Sequence, residues 1–155
     1  MTSSLRQELY ESTVGLSSRP ASVPTLLLTS WRVPVVALLV AACRQQRAKR
    51  EQLVVLNWAI RDPDTFAALE GWLANQEPKG GVLVRYEPAL VRATNIAHGL
   101  GLLADNGGWL ELTPTAFDLI AEIEESGAYA HERLLLGRLP KKISFAAART
   151  LLAGR

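Results

Sequence analysis

The chain has 155 residues, with 17 Lys and Arg against 15 Asp and Glu, 48% hydrophobic residues and one Cys. That length holds one sizeable core with an extra arm but not two full-sized domains. A net charge of +2 does not by itself announce a nucleic-acid partner. Cys43 has no second thiol to pair with, and Met1 to Arg6 lacks the apolar run of a signal peptide, so the expected compartment is a reducing cytoplasm.

Residues 1–24 mix polar residues with Ser17-Ser18-Arg19-Pro20 and Pro24, which reads as an N-terminal arm, and the folded part is expected to begin at residue 25. Val33 to Cys43 is apolar throughout but falls well short of the roughly 20 residues a bilayer-spanning helix needs. It therefore predicts a buried helix from Pro34 to about Gln45. A second helix is expected from about Ala48 to Ile60. Asp62-Pro63 then supplies an N-cap acceptor and a proline for the first turn of a third helix, whose Phe66, Leu69 and Leu73 recur at core-facing spacing.

Val82 to Tyr86 has the β-branched and aromatic content of a short strand. Glu87-Pro88 opens a fourth helix, expected to run to about Leu103, with Leu90, Ala93, Ala97 and Leu100 on one face and Arg92, Asn95 and His98 on another. Asp105-Asn106-Gly107-Gly108 is a turn signal, and Trp109 to Leu112 alternates as a strand does. Thr113-Pro114 starts a fifth helix, and helical patterns follow at about Tyr129 to Leu139 and Ser144 to Leu152. This order predicts a mainly α fold: a winged helix-turn-helix core over residues 25–127 with a short β wing, flanked by the arm and by a helical, basic extension over residues 128–155.

Signals for catalysis are sparse. Cys43 lies in the most apolar stretch, whereas a reactive thiol needs an electropositive, partly exposed site. His98 and His131 have no metal-ligand spacing around them. The glycine pairs match neither a phosphate loop nor a dinucleotide fingerprint. The expectation is a protein that is not an enzyme and takes no cofactor or metal.

Charge is segregated along the chain. Glu111 to Glu132 holds six acidic residues and no Lys or Arg; Arg133 to Arg155 holds six basic residues and no acid; Arg32 to Arg50 adds five basic residues without an acid. Pairing between the fifth helix and the C-terminal helices explains this as well as a partner surface does. The residues placed on a partner- or DNA-binding surface are Trp31, Arg32, Arg44, Arg47, Lys49, Arg50, Arg85, Arg92, Asn95 and His98. Arg and Asn are the types that read base edges or hold phosphates, although Glu87 at the start of the fourth helix weakens a DNA-reading role. Trp58 and Trp72 fit core positions; Trp31 and Trp109 can face a partner.

Two segments resemble a known family. Trp31 to Leu39, followed by the basic stretch and Leu53-Val54-Val55-Leu56-Asn57-Trp58-Ala59-Ile60-Arg61, is similar to a region of the small middle components of bacterial three-component ABC systems. Arg85-Tyr86-Glu87-Pro88-Ala89-Leu90-Val91-Arg92-Ala93 resembles a second segment of the same family, with Glu87 where Asp is commoner. The resemblance covers roughly residues 25–125. It implies a non-enzymatic adaptor, kleisin-like, that bridges an SMC-like ABC ATPase and an effector such as a nuclease in Lamassu-type anti-phage defence, with non-specific DNA contact through the complex and no membrane. The competing expectation is a stand-alone winged-helix transcriptional regulator.

Overall fold

The computed structural model describes residues 28–74, 84–140 and 142–154. The N-terminal arm and the first two residues of the expected strand Val82 to Tyr86 lie outside them; its other three, Val84 to Tyr86, are described and form no strand. The protein is mainly helical: α1 is Thr29–Ala41, α2 Arg50–Ala59, α3 Pro63–Leu73, α4 Pro88–Gly99, α5 Pro114–Ser126, α6 Ala130–Arg138 and α7 Phe145–Leu152. Three short strands, β1 Arg47–Ala48, β2 Leu103–Asn106 and β3 Trp109–Leu112, form an antiparallel sheet in the order β1-β3-β2.

α1 is the central helix. Val33 and Val35 to Val40 are all buried, as an apolar helix without a polar face must be. It starts five residues before the expected Pro34 and tolerates that proline inside it. Its first turn is held by tertiary contacts that no local signal announces: Trp31 packs on Tyr129 with ring centroids 6.0 Å apart, and Arg32 pairs with Glu87. It also ends earlier than expected, at Ala41. Cys43 is already extended, and Gln45 and Gln46 take left-handed φ values of 59° and 54°, which turn the chain into β1.

β1 takes Ala48, the expected first residue of the second helix, so α2 begins at Arg50. There Gln52 reaches back to accept from the Lys49 backbone N–H at 2.7 Å. At α3 the local signals decide the outcome: the Asp62 carboxylate accepts from the N–H groups of Asp64 and Thr65, both at 2.9 Å, and Phe66, Leu69 and Leu73 are buried. Thr113 and Ser144 cap α5 and α7 in the same way.

α4 stops at Gly99 rather than near Leu103, because Gly101 turns left-handed at φ 75° and Leu103 opens a strand. β2 therefore occupies residues that the sequence pattern assigns to the end of a helix and a turn. Leu103 pairs with Leu112 and Asn106 with Trp109, and the hairpin closes through Gly107 and Gly108 at φ 60° and 79°. Two consecutive positive φ values favour glycine and match the twist of an antiparallel hairpin. Asp105 accepts from the Gly108 N–H at 2.8 Å and fixes the turn.

Residues after 127 share the same core. Leu135, Ile143, Ala148 and Leu151 pack in one cluster with α1, α2 and α4, and the Gln52 side-chain amide donates to the Ile143 carbonyl at 2.9 Å. Among the described residues, no helix is long and apolar enough to cross a membrane. Leu151→Ala, which empties a buried site on α7, is expected to lower the unfolding free energy by about 2–4 kcal/mol while keeping one cooperative transition in urea denaturation. A separate early transition would mean that α7 folds apart from the rest.

Candidate partner-binding surfaces

The candidate residues divide into a buried anchor and two exposed surfaces. Arg32, expected at a surface, is a correction: it is 6% exposed, and its guanidinium donates to the Glu87 carboxylate. The other Glu87 oxygen accepts from the Asn57 side-chain amide at 2.8 Å and lies 3.5 Å from the Arg61 guanidinium. Glu87 sits at the N-cap of α4 yet makes no capping bond with its side chain. It turns inward instead and ties α4 to α1 through Arg32 and to α2 through Asn57.

Burial of the Glu87 carboxyl opposes its ionisation, but hydrogen bonds from Arg32 and Asn57 and the charges of Arg32 and Arg61 outweigh that penalty and lower its pKa from the ordinary 4.5. The acidic residue that argued against an anion-binding α4 is thus neutralised within the fold. Arg32 Nε is buried and has no partner among the described residues, so within them the arginine depends on Glu87 for its compensation.

Beyond this anchor α4 presents Arg92, Asn95 and His98 to solvent, while Leu90, Ala93, Thr94 and Ala97 face the core. Arg85 is exposed just before the helix. Two large apolar side chains flank the stripe: Tyr86 is 63% exposed at its start, and Leu100, expected on the core face, is 62% exposed at its end because the helix has already stopped. Trp31 is half-buried against Tyr129, which confines it to a packing contact on one face.

The second surface forms where β1, the hairpin and α7 meet. The Arg47 guanidinium lies 4.8 Å and the Lys49 ammonium 4.7 Å from the centre of the Trp109 ring, and Lys49 also donates to the Gly107 carbonyl at 3.1 Å. Trp109 meets Phe145 edge-on at 6.2 Å, and the Arg149 guanidinium covers Phe145 at 5.7 Å. Arg44 is exposed in the loop before β1, whereas Lys142, which donates to the Cys43 carbonyl at 3.5 Å, lines a cleft between α1, α5 and α6 together with Glu124 and Arg133. Arg50, exposed in the first turn of α2, lines a small cleft with Tyr86, Leu90, Val91 and Thr94 and so belongs with α4 rather than with this surface.

Each cation–ring contact contributes on the order of 0.5–1 kcal/mol at such exposure, and together they hold the charges in place. Phe145, Arg149 and Lys142 do not belong to the set that the sequence pattern selects. Only the tertiary contact of α7 with the hairpin brings Phe145 and Arg149 toward residues 47–49, by way of Trp109.

Ion pairing separates the basic blocks. Among the described residues, Arg32, Arg61, Arg133 and Arg138 pair with Glu87, Glu87, Glu124 and Glu70, whereas Arg44, Arg47, Lys49, Arg50, Arg85, Arg92, Lys142 and Arg149 form no ion pair. Within the C-terminal basic block, Arg133 and Arg138 are therefore engaged with acidic helices, and Lys142 and Arg149 are not. A cleft of about 450 Å³ between α1, α5 and α6 has Leu38, Ile120, Leu136 and Leu139 in its wall, together with the paired Glu124 and Arg133. No group of three or more His, Cys, Asp or Glu among the described residues could hold a metal ion. Burial pushes the Cys43 thiol up to about 12, with nearby Lys142 a smaller opposing influence.

No protein-family model, curated protein or solved structure matches the chain.

Two outcomes follow. Glu87→Gln should cost roughly 3 kcal/mol at neutral pH, because it leaves Arg32 buried without its counter-charge. Since the folded-state pKa of Glu87 lies below the ordinary value, its stabilisation is complete above about pH 4.5 and is lost as pH falls through the lowered value. The stability difference between wild type and Glu87→Gln should accordingly shrink in acid, as read by urea denaturation across pH. Cys43 should resist thiol-specific reagents at about pH 8 in the native protein and react on denaturation; rapid native labelling would contradict its burial.

Proposed function

We propose that the protein is a non-catalytic winged-helix adaptor that bridges an SMC-like ABC ATPase and an effector such as a nuclease in cytoplasmic anti-phage defence. The reading takes its partner identities from the resemblance of residues 25–125 to the middle components of such systems. The element order α1-β1-α2, then α4-β2-β3, together with the strand order β1-β3-β2 supports the winged-helix part of it. α3 is an insertion relative to that plan, standing between the two helices that a simple helix-turn-helix would join directly.

The observation that carries the adaptor reading is the composition of the α4 surface. Tyr86 and Leu100 are apolar anchors at either end of a stripe that contains Arg92. Exposed aromatic and aliphatic anchors around an arginine suit a protein interface better than a phosphate backbone, which offers nothing for them to bury against.

The second reading, a stand-alone DNA-binding regulator, draws on the unpaired cations around Trp109. A regulator binds its own duplex tightly, with a preferred sequence and a steep salt dependence. The adaptor co-purifies at fixed stoichiometry with an ATPase encoded beside it. Arg92→Glu combined with Leu100→Ser should abolish that co-purification and leave the melting temperature unchanged, because both side chains are exposed. Retained co-purification, or sequence-specific duplex binding by the isolated chain, would refute the adaptor reading.

A further inference from the structure

We infer that the face built by the loop before β1, the β2–β3 hairpin and α7 binds the phosphate backbone of duplex nucleic acid without regard to sequence, separately from α4. Its cations form a connected set. Arg47 and Lys49 lie over Trp109, Trp109 leads through Phe145 to Arg149, and exposed Arg44 stands in the loop that leads into β1. None of them forms an ion pair among the described residues, although Glu111 stands directly across from Arg47 in the strand register. A cluster of like charges left unneutralised costs free energy unless an anion compensates it.

Two features select a phosphate backbone over an acidic protein. The first is order: stacking on Trp109 and Phe145 fixes long side chains that would otherwise lose rotamer freedom on binding. The second is what else the face offers. Exposed Gln45, Gln46 and Asn106 add amide donors of the kind that contact phosphate oxygens. Large apolar side chains are exposed at Leu28, Tyr86, Leu100, Phe117, Leu134 and Leu152, and none of these lies in the loop, β1 or the hairpin; Leu152 closes α7 beyond Arg149. A protein partner would require such anchors at the centre of its footprint.

Duplex binding by this face stands whether or not the chain is an adaptor, and the two proposals fail in different experiments. The test measures fluorescence anisotropy of the full chain with labelled duplexes of about 20 base pairs and unrelated sequence, at salt from about 50 to 200 mM. Wild type should bind them with equal affinity. Arg44→Glu combined with Arg149→Glu, both on exposed side chains, should weaken binding at least tenfold. The same double variant should flatten the log–log salt dependence by about 2, since each neutralised phosphate accounts for a slope of roughly 0.9.

Arg92→Glu, which reverses one charge as Arg149→Glu does but lies on the exposed side of α4, should leave duplex affinity within about twofold of wild type. Unchanged melting curves establish that the variants fold.

Several results overturn the inference. They are absence of duplex binding by wild type at low salt, an equal loss with Arg92→Glu, unchanged affinity in the Arg44 and Arg149 double variant, and a strong preference among the duplexes. Displacement of the duplex by poly-glutamate at equal charge concentration would assign the face to an acidic protein instead.

Discussion

A single carboxylate, Glu87, sets the position of α4. One of its oxygens accepts from Arg32 on α1, while the other accepts from Asn57 on α2 and sits near Arg61 just past that helix. Because Glu87 is the N-cap residue of α4, these contacts fix where the helix begins and which way it turns relative to both neighbours. The apolar contacts of Leu90, Ala93 and Ala97 with the core define a face, but a smooth face of small residues permits sliding. A charge that must meet a buried guanidinium does not. The cost is real, since each partner is stranded when the other is removed.

Two surfaces of opposite character follow from that placement. With Glu87 turned inward, the exposed side of α4 carries Arg92, Asn95 and His98 between the apolar ends at Tyr86 and Leu100. The hairpin and α7 instead present cations stacked on Trp109 and Phe145. One surface has anchors and few charges; the other has charges and few anchors. A net charge of +2 conceals this division: among the described residues, acidic side chains pair with Arg133 and Arg138, and none forms an ion pair with the cations of the hairpin face. Two such distinct faces are what the proposed bridging role would require.

Much of the architecture is legible in the sequence wherever the deciding interactions are local. Asp62-Pro63, Thr113-Pro114 and Ser144 place three helix starts, because a cap is a contact between residues two or three apart. Asn106-Gly107-Gly108 places the hairpin for the same reason. What cannot be read is long-range. Arg32 looks like a surface cation beside Trp31 until Glu87, fifty-five residues later, buries it. β1 is two residues long and exists only through its pairing with Glu111 and Leu110. β2 escapes notice because Ala104, Asp105 and Asn106 lack strand propensity and are exposed; the paired β3 holds them. Arg149 joins the candidate surface only through Phe145 and Trp109.

The central claim, that the Arg32–Glu87 pair and not the apolar face alone locks α4 in place, is tested most directly by a double-mutant cycle on unfolding free energy. Arg32→Met, Glu87→Gln and the double variant are compared with wild type by urea denaturation at neutral pH. The pair predicts strong non-additivity: the double variant should be more stable than the sum of the single losses implies by about 2 kcal/mol or more, since removing both partners leaves no stranded charge. Additivity within about 0.5 kcal/mol would contradict the claim and return the positioning of α4 to its apolar contacts.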